Sequence, residues 1–148
     1  MDYSILSSQL YSLIHNVPYT VANLANAAAL LFNSLEDLNW AGFYILEGDT
    51  LVLGPFQGQP ACIEIPMGKG VCGTAAMKKE TVVVANVHEF PGHIACDSAS
   101  NSEIVIPLFK DGEVVGVLDI DSPVFSRFSE EDRIGLENFA DILQKELF

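Results

Sequence analysis

The stretch IVIPLFKDGEVVGVLDI, Ile104 to Ile120, decides the fold. Two apolar runs rich in β-branched residues, Ile104–Phe109 and Val114–Ile120, flank the dipeptide Asp111-Gly112. Asp-Gly between such runs marks a tight hairpin, because both central residues of a type I′ turn need positive φ. An antiparallel pair of strands is therefore expected here. Its outer end carries Glu103 on one side and Asp119 and Asp121 on the other.

Upstream of the hairpin the period-two pattern continues. Trp40–Leu46 (WAGFYIL) reads as a strand, Gly48-Asp49 as a turn and Leu51–Leu53 as the returning strand. Ala61–Ile65 and Thr81–Ala85 are two more short strands, with a short helix over Val71–Met77 after the glycines that bracket Lys69. Both ends are helical. Leu6, Leu10, Leu13 and Ile14 form one apolar stripe, Pro18 interrupts it, and Val21, Leu24, Ala25, Ala28 and Phe32 form a second. Ser129-Glu130-Glu131-Asp132 has the form of a capping box, followed by a stripe at Leu136, Phe139, Ala140, Leu143 and Leu147. The 17 residues from Asn86 to Ser102 fit neither pattern, and a loop of that length in a compact domain is usually functional or mobile. The order helix, helix, strands, helix implies a single α+β domain over residues 1–148.

Composition excludes whole classes of function. Of 148 residues 20 are acidic and 7 basic, a net charge of −13, so the chain lacks the basic footprint of a nucleic-acid or anionic-membrane binder. With 49% hydrophobic and 18% charged residues it has the makings of a core rather than of a disordered chain. The most apolar window, Val21–Phe32, spans 12 residues and includes Asn23 and Asn26, too short for the ~20 apolar residues a bilayer requires. The start, Met1-Asp2-Tyr3, has no basic run before an apolar one, so a cytoplasmic location is expected.

Three cysteines make a poor disulfide framework. Cys62 falls in an expected strand, Cys72 at the start of the short helix and Cys96 in the long loop, where Gly92 and His93 precede it and Asp97 follows. A loop thiol beside imidazole and backbone N–H groups is the more reactive kind. The spacing His88-x4-His93-x2-Cys96 also raises a zinc site completed by Cys62 or Cys72, although no CxxC pair anchors it.

Asp119 and Asp121, two apart on a strand, share a face, and carboxylates at the end of an apolar strand are costly unless paired or facing a cavity. That makes them candidates for binding a cation or ammonium, or for donating a proton. Trp40 and Tyr44, four apart, also share a face, which suits a small ligand with an apolar end and a cationic end. A two-residue turn at Asp111-Gly112 pairs Lys110 with Glu113 and Ile104 with Asp119, which turns Glu103 away from Asp119. The two acids meet only if a bulge shifts the register or Glu103 lies before the strand proper; one of these is expected.

Four runs carry a resemblance: NWAGFY at Asn39–Tyr44, GKGVCGTAA at Gly68–Ala76, FPGHIACDSASNSEIVIPL at Phe90–Leu108 and GVLDIDSP at Gly116–Pro123. Together they resemble the free methionine-(R)-sulfoxide reductases, single GAF domains, over nearly the whole chain. The resemblance implies a six-stranded antiparallel sheet, helices mainly on one face and a ligand cavity under a long loop on the other. It implies thiol-dependent reduction of the R-sulfoxide of free methionine, with Cys96 as nucleophile, Cys62 as resolving thiol and Cys72 as a second resolving candidate. Glu103, Asp119 and Asp121 match the family's substrate-binding carboxylates, and Trp40 and Tyr44 its aromatic wall. Glu64 departs from a position that is commonly basic. Backbone N–H groups around Ile94, Ala95 and Cys96 are expected to receive the substrate carboxylate.

No bound cofactor or metal is expected. The implied reductant is thioredoxin or another dithiol, the implied assembly a homodimer through the helical side, and the implied setting repair under oxidative stress. The competing reading is a non-catalytic GAF sensor that binds a small molecule; a structural zinc protein is the third.

Overall fold

The computed structural model describes residues 1–94 and 96–148. Two helices, α1 (Tyr3–Ile14) and α2 (Thr20–Ser34), precede β1 (Trp40–Glu47), β2 (Thr50–Gly58) and β3 (Glu64–Pro66). Helix α3 (Gly70–Lys78) and β4 (Val82–Val84) follow, then β5 (Ser102–Lys110), β6 (Glu113–Ser122) and α4 (Glu130–Leu147). The strands form one six-stranded sheet in the order β3-β2-β1-β6-β5-β4, with every pairing antiparallel.

The β5–β6 hairpin is the one read from sequence. Asp111 and Gly112 both adopt positive φ, 52° and 81°, and Lys110 pairs with Glu113. The register then shifts: Phe109 faces Val114 but Leu108 faces Gly116, so Val115 is an extra residue on β6. This bulge is the first of the two alternatives the carboxylates required. Val114 and Val117, three apart, consequently join the same cluster on one face of the sheet. Glu103 now pairs with Asp121, and Val105 with Asp119. Directly paired residues share a face, so all three acids come to one side.

Each face has its own core. One carries Ala41, Phe43, Ile104, Ile106, Leu108, Leu118 and Ile120 against α2 and α4, with α1 packed on both helices through Leu6, Leu10 and Ile14. A leucine buried this fully contributes roughly 1.5–3 kcal/mol. The other face carries Trp40, Tyr44, Val105 and Val117 beneath α3 and its residues Val71, Cys72, Ala75 and Ala76. Helices therefore cover mainly one face, as expected, and α3 with the long loop occupies the other.

Three strand expectations are corrected. The strand at Leu51–Leu53 runs on to Gly58 through a second bulge, which places Gly54 and Pro55 opposite Phe43, where a proline's missing N–H interrupts no regular ladder. The strand at Thr81–Ala85 shortens to Val82–Val84. The strand at Ala61–Ile65 is reduced to Glu64–Pro66, leaving Cys62 outside it. There the Cys62 carbonyl accepts a bond from the Tyr44 hydroxyl, 2.9 Å, instead of a strand neighbour. The long loop holds a single 3₁₀ turn, Val87–Glu89, capped by the Asn86 side chain.

Candidate active site

The site grows from the edge of the β1–β6–β5 face. Trp40 pairs with Asp121 and Gly42 with Asp119 across β1 and β6. Gly42 has to be small. A Cβ there would meet the Trp40 indole at 2.9 Å and would also overlap Phe56. The indole therefore folds over Gly42 and stacks between Phe56 and Tyr44, with ring centroids 5.1 and 6.0 Å away. Its Nε1 donates to the Gln59 carbonyl at 3.1 Å, as the Tyr44 hydroxyl does to Cys62. The two aromatics thus form a wall and also tether the 59–62 segment over the sheet.

Above the wall lies a cavity of about 40 Å³, lined by Trp40, Tyr44, Cys72, Cys96, Glu103, Asp119 and Asp121 and roofed by His93 and Ile94. A cavity needs roughly 10–15 Å³ to hold one water, so this form has room for a few waters. Cys62 and Cys96 are joined in a disulfide with Cα atoms 5.4 Å apart, which pins the loop to the 59–62 segment. Cys72 is a buried free thiol. Of the expected site residues, the structure brings Trp40, Tyr44, Cys62, Cys72, Cys96, Glu103, Asp119, Asp121 and Ile94 together. Ala95 lies outside the described residues. The Cys96 N–H is engaged with the Ile94 carbonyl at 3.1 Å, so in this closed form it does not face a ligand.

The carboxylates are the unusual feature. Glu103, Asp119 and Asp121 are only 7%, 5% and 9% exposed, and among the described residues Asp119 Oδ1 and Asp121 Oδ1 have no hydrogen-bond partner. Burial raises the proton affinity of all three, and mutual repulsion adds to it for Glu103 and Asp121. The same burial, followed by the charge of Asp119, pushes the Cys72 thiol and the Tyr44 hydroxyl up. His93 is shifted the other way, first by burial and then by His88, which favours neutral imidazole. Three acids with raised proton affinity, two of them with an unfilled acceptor, make a site for a small cationic group, with a proton available to a neighbouring oxygen.

The loop histidine–cysteine set is not assembled as a zinc site. Cys96 is bonded to Cys62, and His88 Nε2 lies 2.9 Å from Asn101 Oδ1. Among the described residues, the group whose ligand atoms lie within 4.8 Å of one another is Cys72, Glu103 and Asp119.

Sequence reasoning passed over Asn39, although it stands in a quoted run. Its Nδ2 donates to Asp97 Oδ2 at 2.9 Å and to Ser100 Oγ at 3.0 Å, and its backbone N–H donates to the Asp121 carbonyl at 3.0 Å. Asp97 in turn closes a turn through the Ala99 N–H. One side chain thus ties the residue after Cys96 to the strand that carries the acids. A lone Asn before a strand gives no periodic signal. His93, read from sequence as a zinc ligand or as the imidazole beside Cys96, lines the cavity.

This is a GAF architecture whose pocket combines a dithiol pair with buried carboxylates. The GAF domain model matches residues 21–144. The chain is 53% identical to free methionine-R-sulfoxide reductase of Escherichia coli over 145 residues, 98% of this chain and 88% of that one. It superposes on fRMsr of Staphylococcus aureus in its reduced form with a TM-score of 0.97 and 52% identity, covering 99% of this chain and 96% of the other. The same enzyme in complex with substrate gives 0.95 at 52% identity over the same shares. The chain belongs to the free methionine-R-sulfoxide reductases, GAF-domain oxidoreductases. Among the described residues, no helix is long and apolar enough to cross a membrane.

Proposed function

We propose that this chain reduces the R-sulfoxide of free methionine to methionine by the following thiol chemistry. The Cys96 thiolate attacks the sulfoxide sulfur while a protonated acid of the Glu103–Asp119–Asp121 group gives its proton to the departing oxygen. The resulting hydroxyl passes to the Cys96 sulfur as the transient sulfur–sulfur bond breaks, so methionine leaves with the electron pair and Cys96 is oxidised to the sulfenic acid. The Cys62 thiol displaces hydroxide from that sulfur, the hydroxide takes up a proton to leave as water, and the Cys62–Cys96 disulfide forms. A thioredoxin-type dithiol then reduces it and is itself oxidised to a disulfide. Cys72, a buried free thiol of the same cavity, is the second resolving candidate.

The observation that carries the reading is the Cys62–Cys96 bond at the mouth of a cavity floored by three buried acids. The acids would hold the ammonium that a free amino acid has and a residue within a peptide lacks. Trp40 and Tyr44 would flank the S-methyl, and loop N–H groups near Ile94 and Ala95 would take the substrate carboxylate. The closed cavity is too small for methionine sulfoxide, so reduction of the disulfide is the step that frees the loop and admits substrate.

The same reading includes a homodimer, a cytoplasmic location and a role in repair of oxidised methionine. The exposed apolar residues Ile5, Tyr11 and Leu13 on α1 support a pairing through the helical side. Turnover of free R- and S-methionine sulfoxide with a dithiol reductant tests the activity. Wild type should consume the R isomer alone, and Cys96→Ser should lose at least ~10³-fold in kcat/KM, the scale of losing a covalent nucleophile. No consumption of the R isomer by wild type would sink the assignment. Full activity in Cys96→Ser would move the nucleophile elsewhere.

A further inference from the structure

With Cys62 and Cys96 joined, one thiol of the cavity is left over, that of Cys72. It is fully buried on α3, and its Sγ lies within 4.8 Å of carboxylate oxygens of Glu103 and Asp119. An ammonium group explains the acids but not the thiol, since sulfur is a weak acceptor. A divalent cation with an affinity for sulfur explains both.

We propose that the disulfide-closed protein binds one thiophilic divalent cation of the zinc class on Cys72 Sγ, Glu103 and Asp119. Three observations converge on it. The donor set is mixed, one sulfur and two carboxylates from α3, β5 and β6, and zinc takes such sets in tetrahedral geometry. Asp119 Oδ1 is buried without a partner, as is Asp121 Oδ1, which stands ready as a fourth donor. The cavity, about 40 Å³, suits an ion with a few waters. Zn–S and Zn–O bonds of about 2.3 and 2.1 Å set neighbouring donors roughly 3.5 Å apart, so the side chains need close by only about an ångström. Binding breaks the Cys72 S–H bond, forms a metal–thiolate bond and releases the proton to solvent, with no change in oxidation state.

The binding itself does not rest on the substrate assignment, because it needs only the three side chains. Its consequence does. The cation would occupy the acids proposed for the ammonium, so zinc would be an inhibitor that competes with substrate.

The disulfide makes the test clean. With Cys62 and Cys96 bonded, Cys72 is the one remaining thiol of three cysteines. Co²⁺ added to the oxidised protein should give a thiolate-to-cobalt charge-transfer band that saturates at one equivalent and disappears on adding Zn²⁺. The band should be absent in Cys72→Ser, and in Glu103→Gln the Co²⁺ affinity should fall at least ten-fold. No band in the folded, oxidised protein would overturn the proposal. So would a band that Glu103→Gln leaves unchanged, since the thiol would then be binding metal without the acids. Loss of the band with R-sulfoxide turnover intact sinks only the metal site; a band without turnover sinks only the substrate reading.

Discussion

Two groups of three acids are treated in opposite ways. Glu130, Glu131 and Asp132 open α4, where the helix dipole and nearby cations favour negative charge. Asp132 is the best supported. It completes a capping box with Ser129, accepts the Tyr3 hydroxyl at 2.6 Å, and meets Arg127 at 3.2 Å. Burial alone would raise its proton affinity, but the Tyr3 and Ser129 bonds and the Arg127 charge outweigh it and bring the carboxyl below its ordinary range. Among the described residues, Glu103, Asp119 and Asp121 form no salt bridge, and two of their oxygens have no partner. The first group holds the fold together. The second is destabilised by the fold and kept for the site, which is where strain and unmet hydrogen bonds concentrate.

The comparison breaks most visibly in activity. Asp119→Asn and Glu103→Gln preserve shape while removing charge and proton, so each should lower kcat/KM on the order of 10²-fold or more with the circular-dichroism spectrum unchanged. Wild-type kcat/KM in both would mean the acids are merely buried. Asp132→Ala should do the converse. Losing a cap, a buried hydroxyl bond and a half-buried ion pair should cost about 2–3 kcal/mol in urea unfolding, with R-sulfoxide turnover unchanged at a temperature where the protein is folded. Activity that fell with Asp132 would erase the division of labour.

A neutral tether sharpens the contrast. The loop carrying Cys96 is held to the acids' strand by Asn39 rather than by an ion pair. Asn39→Ala should leave the helices and sheet intact and lower kcat about ten-fold with little change in KM, because the nucleophile is less well placed once substrate is bound. The rate at which the Cys62–Cys96 disulfide re-forms after substrate addition should slow in parallel. A change in thermal stability with no change in either rate would make Asn39 a structural residue only.

How much of this could be read from the chain differs by region. The hairpin was legible because Asp-Gly has a steric meaning at positive φ. The Val115 bulge was half legible: the chemistry required Glu103 and Asp119 to meet, but nothing in VVGV says which residue is extra. The site face was legible because period two on β1 and β6 fixes which side chains converge. Cys62 was misplaced because Ala61-Cys62-Ile63 has strand composition, whereas its backbone is bound by Tyr44, 18 residues away. Asn39, Asp97 and Ser100 act through contacts between segments about 60 residues apart, and polar loop residues leave no pattern in their own neighbourhood.

The smallest expected effect bears on the reason for the contrast. A carboxyl whose proton affinity is raised by folding contributes its stability below pH ~4, where folded and unfolded chains are both protonated, and loses it as pH climbs through the raised value. One whose affinity is lowered contributes above pH ~4 and loses it as pH falls through the depressed value. Asp119 is of the first kind and Asp132 of the second. Asn stands in for the protonated acid at every pH. Asp119→Asn should therefore match wild type in urea stability near pH 4 and exceed it at pH 8. The deficit of Asp132→Ala should run the opposite way and shrink as the medium is acidified toward pH 3. Equal, pH-independent offsets for the two variants would mean that neither carboxyl changes its ionisation on folding. A gap for Asp119→Asn that widens with pH, alongside its loss of turnover, would show the fold giving up stability at neutral pH to keep an unpaired acid where the substrate's ammonium arrives.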